Sequence, residues 1–202
     1  MSKVEGVQVR QDRRVVRSRA ALMAAAVRLV SEAGTTALPV IDLAEAADVS
    51  RHLVYLQFGD RDALLIAAAT DLIERELLPE AGDSSASRHA RRLAMARHFA
   101  RHRPFYRAML TGSCAFPMAQ ALNKLFGSLV TMTGLREVFG DLDDTTARDL
   151  TALVTGGTGA IVNEWLIQGD DPLDPEGLAD RLMSLSTVFT RGSSSKTLPP
   201  PP

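Results

Sequence analysis

PVIDLAEAADVSRHLVYLQF, residues 39–58, is the stretch whose reading decides the fold. Pro39 fits the first turn of a short helix, where its missing N–H is not needed, and that helix runs to about Ala46. Ser50 is a good N-cap for a third helix reaching about Leu56. Helices this short are marginal in water, so they require each other and their neighbours in the chain. Val40, Leu43 and Ala44 on the first, Val49 in the turn, and Val54 and Phe58 on the second supply a shared core. That arrangement leaves Arg51, His52, Tyr55, Leu56 and Gln57 facing outward. Two short helices joined by a tight turn, with a polar and aromatic face on the second, is helix-turn-helix geometry. The same residues also describe a plain three-helix unit in which Tyr55 belongs to the core.

Outward from this stretch the chain reads as helical throughout. A first helix spans about Gln11 to Ala33, with Leu22, Ala26, Leu29, Val30 and Ala33 on one face and Gly34 as its stop. Asp60 caps a fourth helix that runs until Pro79. Gly82 to Ser85 reads as a linker. Further helices are expected over about 86–101, 104–110, 115–139, 143–168 and 175–190, nine in all. Residues 1–11 lack apolar periodicity and are expected to form a mobile arm; the tail 191–202, RGSSSKTLPPPP, is expected to be disordered. The class is all-α.

Composition limits the alternatives. Apolar residues make up 46% of the 202, enough for a sizeable core, and aromatics only 5%, which favours helix over sheet. The single Cys114 excludes an internal disulfide framework and fits a reducing cytosol. No apolar run reaches the ~18 residues of a membrane span, and the N-terminus lacks the order of a signal peptide. A cytoplasmic protein with no membrane partner is expected.

The net charge of −1 conceals segregation. Arg10, Arg13, Arg14, Arg17 and Arg19 face one acid, Asp12, within residues 10–19. Residues 84–136 carry nine Lys/Arg and no acid, whereas 137–180 carry eleven acids and only Arg148. Phosphates respond to the local patch rather than to the total. The first cluster describes either a DNA-contacting segment or an ordinary solvated helix start. The two long stretches are most simply read as paired with each other, although an acid-free stretch also suits an anionic or acyl-type ligand.

The pattern resembles the tetracycline-repressor (TetR) family. Leu43-Ala44, Ala47-Asp48-Val49-Ser50, Tyr55, Phe58 and Arg61-Asp62-Ala63-Leu64 carry the resemblance, which covers about residues 17–66. It implies a helix-turn-helix DNA-binding domain over 12–62, linked through a helix at about 60–78 to a helical-bundle ligand-binding and dimerisation domain over 63–190. It further implies that Tyr55, Gln57 and Arg61 contact phosphates, while Arg51, His52, Leu53 and Leu56, after Ser50, face base edges. The partners implied are double-stranded operator DNA, a second copy of the chain and a small-molecule effector. Asp48 stands where the family usually has glycine; Asp tolerates left-handed backbone better than most residues. Leu53 replaces a small or hydroxylated residue, and Leu38-Pro39 replaces a threonine.

Beyond Ser84 the resemblance narrows to Trp165 in Asn-Glu-Trp-Leu-Ile-Gln-Gly, the Asp-Pro-rich loop and the last helix. Gly156, Gly157, Gly159 and Ala160 fall in mid-helix, where each glycine costs about 1 kcal/mol relative to alanine, and close approach of another helix is the usual compensation. With Leu178, Leu182, Leu185 and Phe189 they form the expected dimer interface, isologous under a two-fold axis; intramolecular core is the other reading. Candidate ligand walls are Phe99, Tyr106, Met109, Leu110, Phe116, Phe126, Asn163 and Trp165, each of which also reads as plain core. His98 and His102, at i and i+4, have metal-compatible spacing, with Cys114 the remaining reactive side chain. Their arginine-rich helix favours a solvated basic face, so no metal, cofactor or catalytic group is expected. A helical enzyme using these three residues is the unfavoured alternative; a ligand-independent DNA-binding regulator is another.

Overall fold

A computed structural model describes residues 2–81, 85–127 and 140–193, with side chains described for 13–80, 85–127 and 140–187. Every described element is α-helical: α1 Ser2–Ala33, α2 Val40–Ala46, α3 Arg51–Phe58, α4 Arg61–Glu76, α5 Leu78–Ala81, α6 Arg88–Arg101, α7 Arg103–Thr111, α8 Ala115–Gly127, α9 Asp144–Gln168 and α10 Pro175–Ser193. No described helix is long and apolar enough to cross a membrane.

The helix boundaries follow local chemistry. Gly34 takes φ +64° after its N–H bonds to the Val30 carbonyl, ending α1. Ser50 accepts from the Leu53 N–H at 3.3 Å and starts α3; Asp60 accepts from the Ala63 N–H at 2.7 Å at the start of α4. Asp48 in the turn adopts φ +53°, the left-handed backbone that its short polar side chain tolerates. Pro39 is the residue before α2 rather than its first residue.

Three boundaries depart from the sequence reading. Helix α1 begins at Ser2, so the backbone of the expected arm, 1–11, is helical over its described part. Residues 2–11 contain no proline and one glycine, and a helix once nucleated propagates without needing an apolar stripe. The expected fourth helix is divided into α4 and α5: Pro79 has no N–H to donate to the Arg75 carbonyl, and the chain restarts with the Glu80 N–H on the Leu77 carbonyl. Helix α10 continues to Ser193, past the expected start of the tail. Residues 82–84 of the linker, the second half of the expected 115–139 helix and the tail from 194 lie outside the described residues.

Two compact units result: residues 1–75 with 102–118, and residues 76–101 with 119–202. Helix α7 buries Phe105, Tyr106, Ala108 and Met109, and it packs on α1 within the first unit. The core of that unit also holds Leu22, Ala26 and Val30 of α1, Leu43 and Ala44 of α2, Val54 of α3 and Leu64, Leu65, Ala68 and Leu72 of α4. Gly112, just after α7, lies against the buried Thr36. A Cβ at Gly112 would overlap Thr36 Oγ1 and sit 3.0 Å from the Ala108 carbonyl oxygen.

In the second unit α10 packs on α6 and buries Leu178, Ala179 and Leu182. Arg97 of α6 donates to Glu176 of α10 at 2.8 Å, and His89 meets Asp180 at 3.1 Å. These are pairs between the acid-free and the acid-rich stretches of the sequence. They are solvent-exposed, so apolar burial rather than ion pairing holds the two helices together.

Asp143 caps α9, accepting from the Thr145 and Thr146 N–H groups at 3.0 Å each. Hydrogen bonds from the Thr146 hydroxyl and backbone hold its carboxyl below the ordinary aspartate value. A depressed carboxyl pKa stabilises the fold above the unfolded value of 3.8 and loses that contribution as pH falls through the lower folded value. Asp143→Ala should therefore lower the thermal midpoint at pH 7, with the difference from the parent shrinking as pH falls below 3.8. Gly112→Ala should destabilise by about 1–3 kcal/mol, the usual cost of overpacking, read as a lowered denaturant midpoint with unchanged slope.

Candidate nucleic-acid interface

Helix α3 is anchored by one side chain. Val54 is fully buried, Leu53 and Phe58 are half-buried, and Arg51, His52, Tyr55 and Leu56 are exposed. Tyr55 is 46% and Leu56 70% exposed, a high value for a large apolar side chain beside two basic residues. The base-facing set expected from the sequence, Arg51, His52 and Leu56, thus projects to solvent, with Tyr55 on the same face. Leu53 is partly withdrawn, since its position follows the Ser50 cap by one turn and turns toward the unit's interior.

Gln57 is placed differently from the phosphate role expected of it. Its amide donates to Ser18 Oγ at 2.9 Å, and its Oε1 is enclosed without a donor among the described residues. Arg19, expected among the DNA-contacting arginines, donates from Nη1 to the Gln57 carbonyl at 3.1 Å. Its guanidinium carbon also sits 4.2 Å from the centre of the Phe58 ring. Arg13, Arg14 and Arg17 are exposed along α1. Arg61, at the start of α4, pairs with Asp62 at 2.8 Å and reaches Ser113 Oγ at 3.4 Å. The partners Ser18 and Ser113 were not singled out by the sequence, because neither carries a motif of its own; Asp62 belongs to the Arg61-Asp62-Ala63-Leu64 run.

The candidate ligand walls divide between the two units. Tyr106 and Met109 are completely buried in the first, with Leu110 half-buried beside them; Tyr106 lies edge-on to Phe105 at 5.3 Å. Phe116 is 73% exposed and walls no cavity of that unit, since its place on the first turn of α8 directs it outward. In the second unit Phe99 meets Phe126 at 6.3 Å, Trp165 is buried and Asn163 half-buried. An open groove of about 460 Å³ lies elsewhere in this unit, lined by Asn123, Lys124, Gly127, Arg148, Thr151, Ala152 and Thr155. It uses none of the candidate walls.

The expected dimer residues also divide. Leu178 and Leu182 are buried on α10, which packs against α6. Leu185 is exposed, and the Phe189 side chain lies outside the described side chains. Among the described residues nothing lies within 4 Å of a Cβ at Gly156 or Gly157, and only Asn123 Oδ1, at 3.6 Å, approaches Gly159. Ala160 is exposed, as are Leu153 and Val154 nearby on α9.

His98 is not on a solvated face, as expected, but 4% exposed, edge-on to Phe99 and 3.7 Å from Glu76 Oε2. His98 faces the core because Ala96 and Phe99 turn that side of α6 inward. Cys114 is buried in the first unit. Burial first, and then the nearby Asp62 carboxylate, push its thiol pKa up.

Two features, a capped eight-residue helix presenting a basic and aromatic face and a seven-residue helix packed behind it, define a helix-turn-helix protein. The family model of "Bacterial regulatory proteins, tetR family" matches residues 22–68, spanning α2, α3 and the first half of α4. The match is confined to this helix-turn-helix segment, which is similar to that of TetR-family regulators. No curated protein sequence matches it. Among solved structures it is similar to FadR of Thermus thermophilus, described as a TetR-family transcriptional repressor in complex with lauroyl-CoA. Their TM-score is 0.62 at 17% identity, over 91% of this chain and 99% of that one. A TetR-family regulator from Rhodococcus sp. gives a TM-score of 0.61 at 19% identity, over 87% and 99% of the two chains. NalD of Pseudomonas aeruginosa, a repressor of a multidrug efflux pump, gives 0.53 at 19% identity, over 85% and 94%. At these identities the likeness is one of fold.

The raised thiol pKa makes Cys114 a poor nucleophile, since the thiolate is the reactive form. A disulfide reagent at pH 7 should modify the native protein far more slowly than the protein in 6 M guanidinium (about the concentration that unfolds even very stable domains). Equal rates would contradict the buried placement.

Proposed function

We propose that this chain is a ligand-responsive transcriptional repressor that binds a near-palindromic operator as a homodimer and is released by a small-molecule effector. The observation that carries the DNA-binding part is the exposed α3 face, Arg51, His52, Tyr55 and Leu56, on a helix seated by Val54. A major groove accepts such a helix with its N-terminal residues nearest the bases. Arg51 supplies a bidentate donor fork, His52 a second hydrogen-bonding group, and Leu56 an apolar surface suited to a thymine methyl. Tyr55 offers a hydroxyl to a phosphate. Arg13, Arg14 and Arg17 add charge along α1 that steers the protein to the backbone.

The homodimer is supported by α9. Mid-helix glycines without a neighbour among the described residues, beside exposed Leu153 and Val154, suit the close approach of a second helix. Gly156, Gly157 and Ala160 of α9 with Leu185 of α10 make up the proposed surface, repeated on both copies across a two-fold axis. The repressor and effector parts rest on the fold shared with repressors, one of them described with lauroyl-CoA bound. Effector action requires only that the ligand bind the DNA-incompetent state more tightly, typically by about 1–3 kcal/mol of coupling. Helix α4, which ends at the unit boundary at Arg75–Glu76, is the proposed carrier of that coupling.

The test begins with a duplex selected by the protein from a randomised library. Arg51→Ala and Tyr55→Ala should each weaken binding to it by about tenfold or more, the scale of one lost specific contact, with helicity and sedimentation mass unchanged. Undiminished sequence-specific binding by both variants would remove α3 as the reading element. Leu153→Glu should shift the sedimentation mass toward the monomer and weaken operator binding with it.

A further inference from the structure

We infer that Arg19, with Ser18, is a positioning residue for the recognition helix, fixing α3 from its C-terminal end rather than gripping phosphate. This rests on the DNA-binding reading above and refines it, separating Arg19 from Arg13, Arg14 and Arg17.

Four contacts converge on the end of α3. The last carbonyls of a helix have no partner within it, and the negative end of the helix dipole gathers there. Arg19 meets both needs from a different helix: its Nη1 donates to the Gln57 carbonyl at 3.1 Å. The same guanidinium stacks on Phe58, with its central carbon 4.2 Å from the ring centre, so its plane is held as well as its charge. Beside it the Gln57 amide donates to Ser18 Oγ at 2.9 Å, and the Ser18 hydroxyl donates onward to the Val15 carbonyl at 3.0 Å. The hydroxyl proton is thereby committed to α1, leaving only its lone pairs for the amide, which fixes the way the Gln57 side chain points. Arg19, Ser18, Gln57 and Phe58 are all half-buried, whereas Arg13, Arg14 and Arg17 are exposed.

The consequence lies at the opposite end of α3. Arg51 precedes Gln57 by six residues, about 9 Å along the axis. A helix of eight residues has no rigidity to spare, and base-edge hydrogen bonds tolerate misplacement of only about 0.5 Å. Fixing both the rotation and the tilt of the C-terminal turn therefore sets where Arg51 and His52 meet the bases. A guanidinium already bonded to a carbonyl and stacked on a ring would have to give up both contacts to reach a phosphate.

The salt dependence of binding separates the two roles, because each phosphate contact releases counterions and a positioning contact does not. Equilibrium binding is measured by fluorescence anisotropy across a KCl series on two probes, the selected duplex and a random duplex of equal length. Arg19→Met, which keeps the stem and loses the fork, should weaken binding to the selected duplex by about tenfold, within the range of one lost base contact. Binding to the random duplex and the salt slope should stay as in the parent. Ser18→Ala removes no charge and should show the same selective loss, more weakly. Arg17→Gln is the contrast: it should weaken both duplexes alike and reduce the slope by roughly 0.9. Should Arg19→Met fail to fold by circular dichroism, the Ser18→Ala pattern decides. A shallower slope on both probes for Arg19→Met, or no selective loss in either Arg19→Met or Ser18→Ala, overturns the inference while leaving the DNA-binding reading intact. Failure of the parent protein to enrich any duplex overturns both.

Discussion

A helix of seven or eight residues does not persist in water by itself, and this molecule places its most exposed functional face on one. Nucleating a helix fixes several residues for the first hydrogen bond, so α2 and α3 exist only as parts of a packed unit. Leu43 and Ala44 on one side and Val54 on the other are buried to within 1% exposure, and the Asp48 turn holds the two helices at a set angle. The long α1 provides the surface on which they condense, and α7, distant in sequence, covers another part of α1. Everything that α3 can present to a partner depends on that support.

The same dependence explains how polar side chains are shared out near α3. A short helix leaves most of its end groups without internal partners. Ser50 satisfies a donor at one end, and Arg19 satisfies an acceptor at the other. Side chains that resemble DNA ligands in a linear reading are thus drawn into structural work when they lie near a helix terminus. Arg13, Arg14 and Arg17, elsewhere on α1, remain exposed. Position relative to α3, not residue type, distinguishes them.

In the second unit the opposing pattern holds. Helix α10 uses its apolar stripe on α6, so Leu178 and Leu182 are consumed within the chain. Helix α9 carries Gly156 and Gly157 with no described neighbour at the Cβ position and keeps Leu153 and Val154 in contact with solvent. Charge adds little to this division, because the α6–α10 ion pairs are exposed and screened. Apolar burial decides which faces are closed.

The sequence by itself determined the helical class, the caps at Gly34, Ser50 and Asp60, the left-handed turn at Asp48 and, of the five side chains expected to face outward on α3, all but Gln57, which is half-buried and bonded to Ser18. These are local matters: capping, backbone preference and a 3.6-residue period act within one or two turns, so neighbouring residues suffice to read them. What only the tertiary structure decided involves residues far apart in the chain. Arg19 lies 38 positions from the carbonyl it caps, Ser18 lies 39 from Gln57, and Ser113 lies 52 from Arg61. Periodicity shows that a leucine is on an apolar face but not which helix will cover it, so Leu182 and Leu185 read alike until α6 takes the first and leaves the second exposed. The partner of a half-buried polar group is set by packing, and packing is a property of the whole unit.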